Sequence, residues 1–344
     1  MTVRPLLHAV MVFGALVSAG MRFSEAADQP QHMKAMCEKG TATACNSLGL
    51  LYLKGEGVKQ DDARAAALFK KACDGGDVGG CSNLGVMYAE GIGVLQDDAQ
   101  AVAFSRIGCD GGSMKGCYNL GVMYAEGTGA PQDDVQASDF YRQACDGGNT
   151  KGCYNLGVMY AEGIGVSQDD VQAAAFSRKA CDGGSMKGCY NLAVMYAEGV
   201  GAPQDDVQAA SFYRKACDGG NARGCYNLGI MYAEGTGVQP DHFQAADLYR
   251  KACDGGSLRG CSNLGVMYAQ GTGIKQDDMR AATLYRKACD AGDAKGCINL
   301  GTVYQVGRGV KQDDAEALRY YGKACDLREP KGCAHYAKLK TGRR

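Results

Sequence analysis

Residues 151–184 read KGCYNLGVMYAEGIGVSQDDVQAAAFSRKACDGG. In the first half, Leu156, Met159 and Tyr160 lie three and four positions apart, the spacing of one helix face. Gly163 and Gly165 follow, and glycine at a helix C-terminus takes the left-handed cap conformation at little cost. Asp169 or Asp170 then offers an N-cap acceptor for a second helix. The copy before it shows that second helix more clearly: Ala137, Phe140, Tyr141 and Ala144 recur at i, i+3, i+4 and i+7. Small residues such as Ala144, Gly157 and Ala161 let neighbouring helices approach closely. The stretch predicts a helix–turn–helix unit and an all-α chain.

Outward from it, the same unit returns along the whole chain. Cys37, Cys73, Cys109, Cys145, Cys181, Cys217, Cys253, Cys289 and Cys325 stand 36 residues apart. Cys45, Cys81, Cys117, Cys153, Cys189, Cys225, Cys261, Cys297 and Cys333 follow each of them by eight. Such a fixed period marks a solenoid, so the 344-residue length does not count domains. The expected organisation is a leader over 1–26, a capping half-repeat over 27–42, eight repeats over 43–330, and a capping helix with a basic tail over 331–344.

Each cysteine pair brackets a glycine-rich reversal between two helices, as in Cys145-Asp-Gly-Gly-Asn-Thr-Lys-Gly-Cys153. Antiparallel helix ends meeting there come within the Cα separation a disulfide needs. Pairing Cys45 with Cys73 inside a unit is the alternative, but it strands Cys37 and Cys333, so the local pairing is preferred. One such loop stabilises by about 2.6 kcal/mol in the chain-entropy model. The chain lacks any Cys-x-x-Cys, and its four histidines, His8, His32, His242 and His335, are scattered. No metal and no cofactor is expected.

Arg4, the apolar run from Ala9 to Ala19, and Ser24-Glu25-Ala26 match a signal peptide cut after Ala26. The apolar core is shorter than the roughly 20 residues a bilayer span needs. A secreted or periplasmic protein without a membrane anchor is therefore expected, in a compartment that favours disulfides. Thirty-seven basic residues against 38 acidic ones give a net charge of −1, which does not suit nucleic acid.

The string Asn-Leu-Gly-Val-Met-Tyr-Ala-Glu-Gly stands at 83–91, 119–127 and 155–163, with close copies from 191, 227 and 263. Together with Gly-x-Gly-Val and Ala-Cys-Asp-Gly-Gly, it resembles the Sel-one-like repeat (SLR) family, relatives of tetratricopeptide repeats. The cysteines eight apart narrow the likeness to the secreted Helicobacter cysteine-rich proteins. The resemblance implies a right-handed α/α superhelix of 36-residue repeats with one disulfide in each. It also brings a label, β-lactamase or penicillin-binding protein, and a second one, host-interaction factor.

A serine β-lactamase of the usual kind needs Ser-x-x-Lys, and the chain has none; Ser113-Met-Lys115 and Ser185-Met-Lys187 are one residue too short. Lys-Thr-Gly at 340–342 stands alone in the tail. The Gly-x-Gly loops precede Gln-Asp-Asp, which repels phosphate. No catalytic group is visible, and β-lactam binding or hydrolysis rests on the label alone.

A repeated surface remains. Asn83, Asn119, Asn155, Asn191, Asn227, Asn263 and Asn299 form one column on the first helices, with Glu90, Glu126, Glu162, Glu198 and Glu234 near its end. A carboxamide carries two donors and an acceptor, which suits the backbone of an extended peptide. First helices line the concave face of solenoids, so the expected partner is a protein segment held there by a monomer. The competing reading is that each Asn ties its helix to a neighbour. Met159 and its equivalents read as core filler. One further register is basic: Lys115, Lys151, Lys187, Arg223, Arg259 and Lys295.

Overall fold

The computed structural model describes residues 25–342, so most of the expected leader lies outside the described residues. Two compact units divide the chain, one ending at Phe176 and the other beginning at Ser177. The first holds α1 (Glu25–Glu38), α2 (Ala42–Lys54), α3 (Asp62–Asp74), α4 (Val78–Glu90), α5 (Asp98–Asp110), α6 (Met114–Glu126), α7 (Asp134–Asp146) and α8 (Thr150–Glu162). Helix α9 (Asp170–Asp182) carries the division. The second holds α10 (Met186–Glu198), α11 (Asp206–Asp218), α12 (Ala222–Glu234), α13 (His242–Asp254), α14 (Leu258–Gln270), α15 (Asp278–Asp290), α16 (Ala294–Val306), α17 (Asp314–Asp326) and α18 (Pro330–Lys340). The described residues contain no strand.

Local signals set these boundaries. The first Asp of each Gln-Asp-Asp caps its helix: Asp133 Oδ1 accepts from Gln136 N at 3.0 Å, and Asp169 Oδ1 from Gln172 N at 3.0 Å. Ser113, Asn149 and Asn221 cap first helices in the same way. Gly163 closes α8 at φ 68°, donating to Met159 O. Two residues on, Gly165 sits at φ 65° against the Asp134 carbonyl of the preceding repeat, where any side chain would collide with that backbone. The turn thus ends one helix and docks one repeat on the next.

Within each unit, successive helices pack in chain order, and first helices also touch one repeat further on, as α4 with α6 and α14 with α16. That is the stacking of an α/α solenoid. The core is thin and repetitive. Leu156 and Ala144 are fully buried, and Met87, Met123, Met159, Met195, Met231 and Met267 are buried beside them, which settles methionine as core. Phe140 is only half-buried; it stacks on Tyr124 at 5.5 Å between ring centroids, while Tyr141 takes the interior. The phenol of Tyr160, assigned to the same stripe, is also half-buried and accepts from Arg142 at 2.6 Å.

All nine disulfides are the local ones, from Cys37–Cys45 to Cys325–Cys333, with Cα separations of 4.5–4.6 Å and no free cysteine. Helix–turn–helix geometry brings each pair together before the bond forms, so the bridge holds a reversal the glycines already make. Among the described residues no helix is long and apolar enough to cross a membrane.

Candidate functional site

The carboxamide column lies on the first helices of both units, and its members are not equivalent. Asn83 and Asn119 are buried, at 9% and 6% exposure, whereas Asn155, Asn191, Asn227, Asn263 and Asn299 are half-buried. Glu126, Glu162 and Glu198 are exposed at the C-terminal ends of their helices.

In the first unit the column starts as a closed chain. Asn83 Nδ2 donates to Asn46 Oδ1 at 2.8 Å, and Lys115 Nζ donates to Asn83 Oδ1 at 2.6 Å. Burial holds the Lys115 ammonium below the usual lysine range; nearby Lys151 adds to the push and Glu90 opposes it. Lys151 Nζ stands over the Tyr118 ring at 5.8 Å from its centroid.

One repeat on, the Asn155 carboxamide stands beside the phenols of Tyr118 and Tyr141 and favours their ionised forms, against the burial that raises both. Burial drives the Tyr141 phenol well above its ordinary value, and Asn155 offsets only part of that. Asn119 has no such phenol, because Ser105 stands at the register of Tyr141. Asn119 Nδ2 and Ser105 Oγ are both buried without a hydrogen-bond partner. So Asn119, with a serine at that register, is left with a buried unpaired donor, while Asn155 stands beside two phenols.

The second unit repeats the tyrosine arrangement. Burial pushes the Tyr213 phenol up to about 12 and raises that of Tyr249, and Asn227 and Asn263 offset part of it. Tyr190 tilts against Tyr213 at 5.9 Å, and Tyr226 against Tyr249 at 6.0 Å. Between α12 and α14 an open cleft of about 570 Å³ is lined by Tyr190, Tyr226, Asn227, Arg223, Arg259 and the turn before α14.

Asn83 therefore ties its helix to its neighbours, through side chains rather than backbone, and five of the other asparagines reach the surface. Tyr141 is legible as part of the second helix's buried stripe but not as a neighbour of the column, although Tyr141, Tyr213, Tyr249 and Tyr285 share one register at the repeat period or twice it. The Arg–Tyr bonds were also legible only as a spacing of 18, as in Arg106 with Tyr124 and Arg286 with Tyr304, each 2.6 Å. Among the described residues no three His, Cys, Asp or Glu side chains gather as a metal site.

The Sel1 repeat model matches the chain eight times, over residues 42–77, 79–113, 115–149, 150–185, 187–221, 222–257, 258–293 and 294–328. A protective antigen of uropathogenic Escherichia coli strains, whose crystal structure displays an SLR fold, is similar at 30% identity and a TM-score of 0.83. That match covers 90% of this chain and 67% of the antigen. A Sel1 repeat protein from Oxalobacter formigenes is similar at 24% identity and a TM-score of 0.66, covering 95% of this chain and 98% of that one. Helicobacter pylori cysteine-rich protein B matches at 32% identity over 38% of this chain and 94% of its own, with a TM-score of 0.32. No curated protein matches.

Proposed function

Since this chain belongs to the Sel1 repeat family, we propose that it is an exported, disulfide-stapled scaffold that holds extended protein segments along the first-helix faces of its units. The observation that carries this reading is the run of half-buried carboxamides, Asn155, Asn191, Asn227, Asn263 and Asn299, at one register of successive first helices. A half-buried carboxamide has two N–H donors and an oxygen with which to meet a ligand. Groups of that kind, spaced regularly, match main-chain amides without selecting side chains. Export is supported by the nine disulfides, which persist in oxidising compartments, and by the leader-like residues 1–26.

The test is an array of unrelated extended decapeptides offered to the oxidised protein and to a variant with the five asparagines changed to alanine. Helicity should be unchanged by circular dichroism. Binding should fall at least tenfold across unrelated sequences. Equal binding by the variant, or no peptide bound by the parent protein, overturns the reading.

A further inference from the structure

The cleft between α12 and α14 differs from the rest of the column in its charge. Arg223 and Arg259 occupy the second position of their helices, 36 residues apart, and both are exposed. Neither makes an ion pair, a hydrogen bond or a ring contact among the described residues. No acidic residue lines the cleft. At the same register of the first unit, Lys115 donates to Asn83 and Lys151 covers Tyr118, so those cations are engaged within the fold. Two guanidinium groups thus line the cleft with two tyrosines and without a paired carboxylate.

We propose that this cleft selects extended acidic peptide segments, placing one carboxylate on Arg223 and a second on Arg259. The inference rests on the segment-binding reading above and names the class of segment. A guanidinium offers a planar fork that grips a carboxylate through two parallel hydrogen bonds, which an ammonium cannot do. The half-buried Tyr190, Tyr226 and Asn227 line the same cleft, adding apolar ring surface and a carboxamide for a main-chain amide. Arg223 and Arg259 stand on first helices of adjacent repeats, so an extended segment crossing both, advancing about 3.3 Å per residue, presents its two acids several residues apart; acid-x-x-acid is the shortest such pattern to try.

The experiment uses the full oxidised chain and the fluorescein-labelled peptide Ser-Gly-Glu-Ala-Ala-Glu-Gly-Ser, with its Gln-for-Glu counterpart, read by fluorescence anisotropy at physiological salt. The Glu peptide should bind at least tenfold more tightly than the Gln peptide. Arg223→Gln and Arg259→Gln should each remove most of that advantage, and Lys151→Gln should leave it. The double charge reversal R223E/R259E should reverse the preference toward a peptide with Lys at both sites. Equal binding of the Glu and Gln peptides overturns acid selection, and leaves segment binding standing if both are lost in the five-asparagine variant. Failure of both peptides overturns acid selection too, while the decapeptide array decides segment binding separately. Tighter binding of a sulfated disaccharide through the same two arginines overturns a peptide as the ligand.

Discussion

In the first unit Lys115 is half-buried and reaches Asn83 Oδ1 at 2.6 Å; in the second, Arg223 and Arg259 hold the same register, are exposed and make no ion pair. The register keeps its positive charge and an asparagine 32 residues before it, but the residue itself changes from Lys to Arg. Asn83 is itself fixed by Asn46, which presents its oxygen to Lys115. A repeated charge therefore does not imply a repeated role. The environment a side chain meets on the preceding helix decides whether it stabilises the stack or stays open to a ligand.

The staples should be where the units resemble each other most. Removing Cys145–Cys153 or Cys217–Cys225 by paired serine substitution should each cost about 2–4 kcal/mol in denaturant unfolding. A much larger loss in one unit would mean that its reversal depends on the bridge and not on its glycines.

Alkaline titration sharpens the comparison next. Tyr213 and Tyr285 hold phenols raised to about 12 by burial, and Tyr141 is raised further. These phenols stay protonated in the folded state while unfolded tyrosines ionise near pH 10, so the unfolded chain binds fewer protons there. Stability should fall as pH rises from 10 to 12 and be insensitive to these groups below that window. Phenolate absorbance that appears in full at pH 10 without unfolding would contradict the burial.

Within the first unit, Asn155→Leu should cost about 1 kcal/mol, because it removes the carboxamide beside buried phenols. Asn119→Leu should be neutral or stabilising, since its amide donor already lacks a partner. Equal costs at the two sites would show that Asn119 has a role that its contacts do not reveal. The smallest effects separate the cations: Lys115→Gln should destabilise by about 1 kcal/mol through the lost charged hydrogen bond, and Arg223→Gln should stay within about 0.5 kcal/mol of the parent. An Arg223 variant as damaging as the Lys115 variant would break the distinction between the units.

Several of these features were legible in advance. Helix pairs, their caps at Asp133 and Asp169, the left-handed turn at Gly163 and the local disulfides all follow from residues within ten positions of one another. The second-helix stripe was read almost correctly, with Tyr141 buried as expected and Phe140 displaced to the rim. The asparagine column was found by its period, but nothing in the period shows that Asn83 and Asn119 are closed while Asn155 is open.

By itself, then, the sequence determined an all-helical Sel1 solenoid with its reversals stapled, because capping, hydrophobic periodicity and eight-residue loop closure are local matters. Tertiary structure decided the rest: Lys115 to Asn83 across 32 residues, Arg142 to Tyr160 across 18, and two arginines left facing an open cleft. A hydrogen bond survives only within a few tenths of an ångström, and the stagger between stacked helices that sets such distances is fixed by packing, which no single repeat contains.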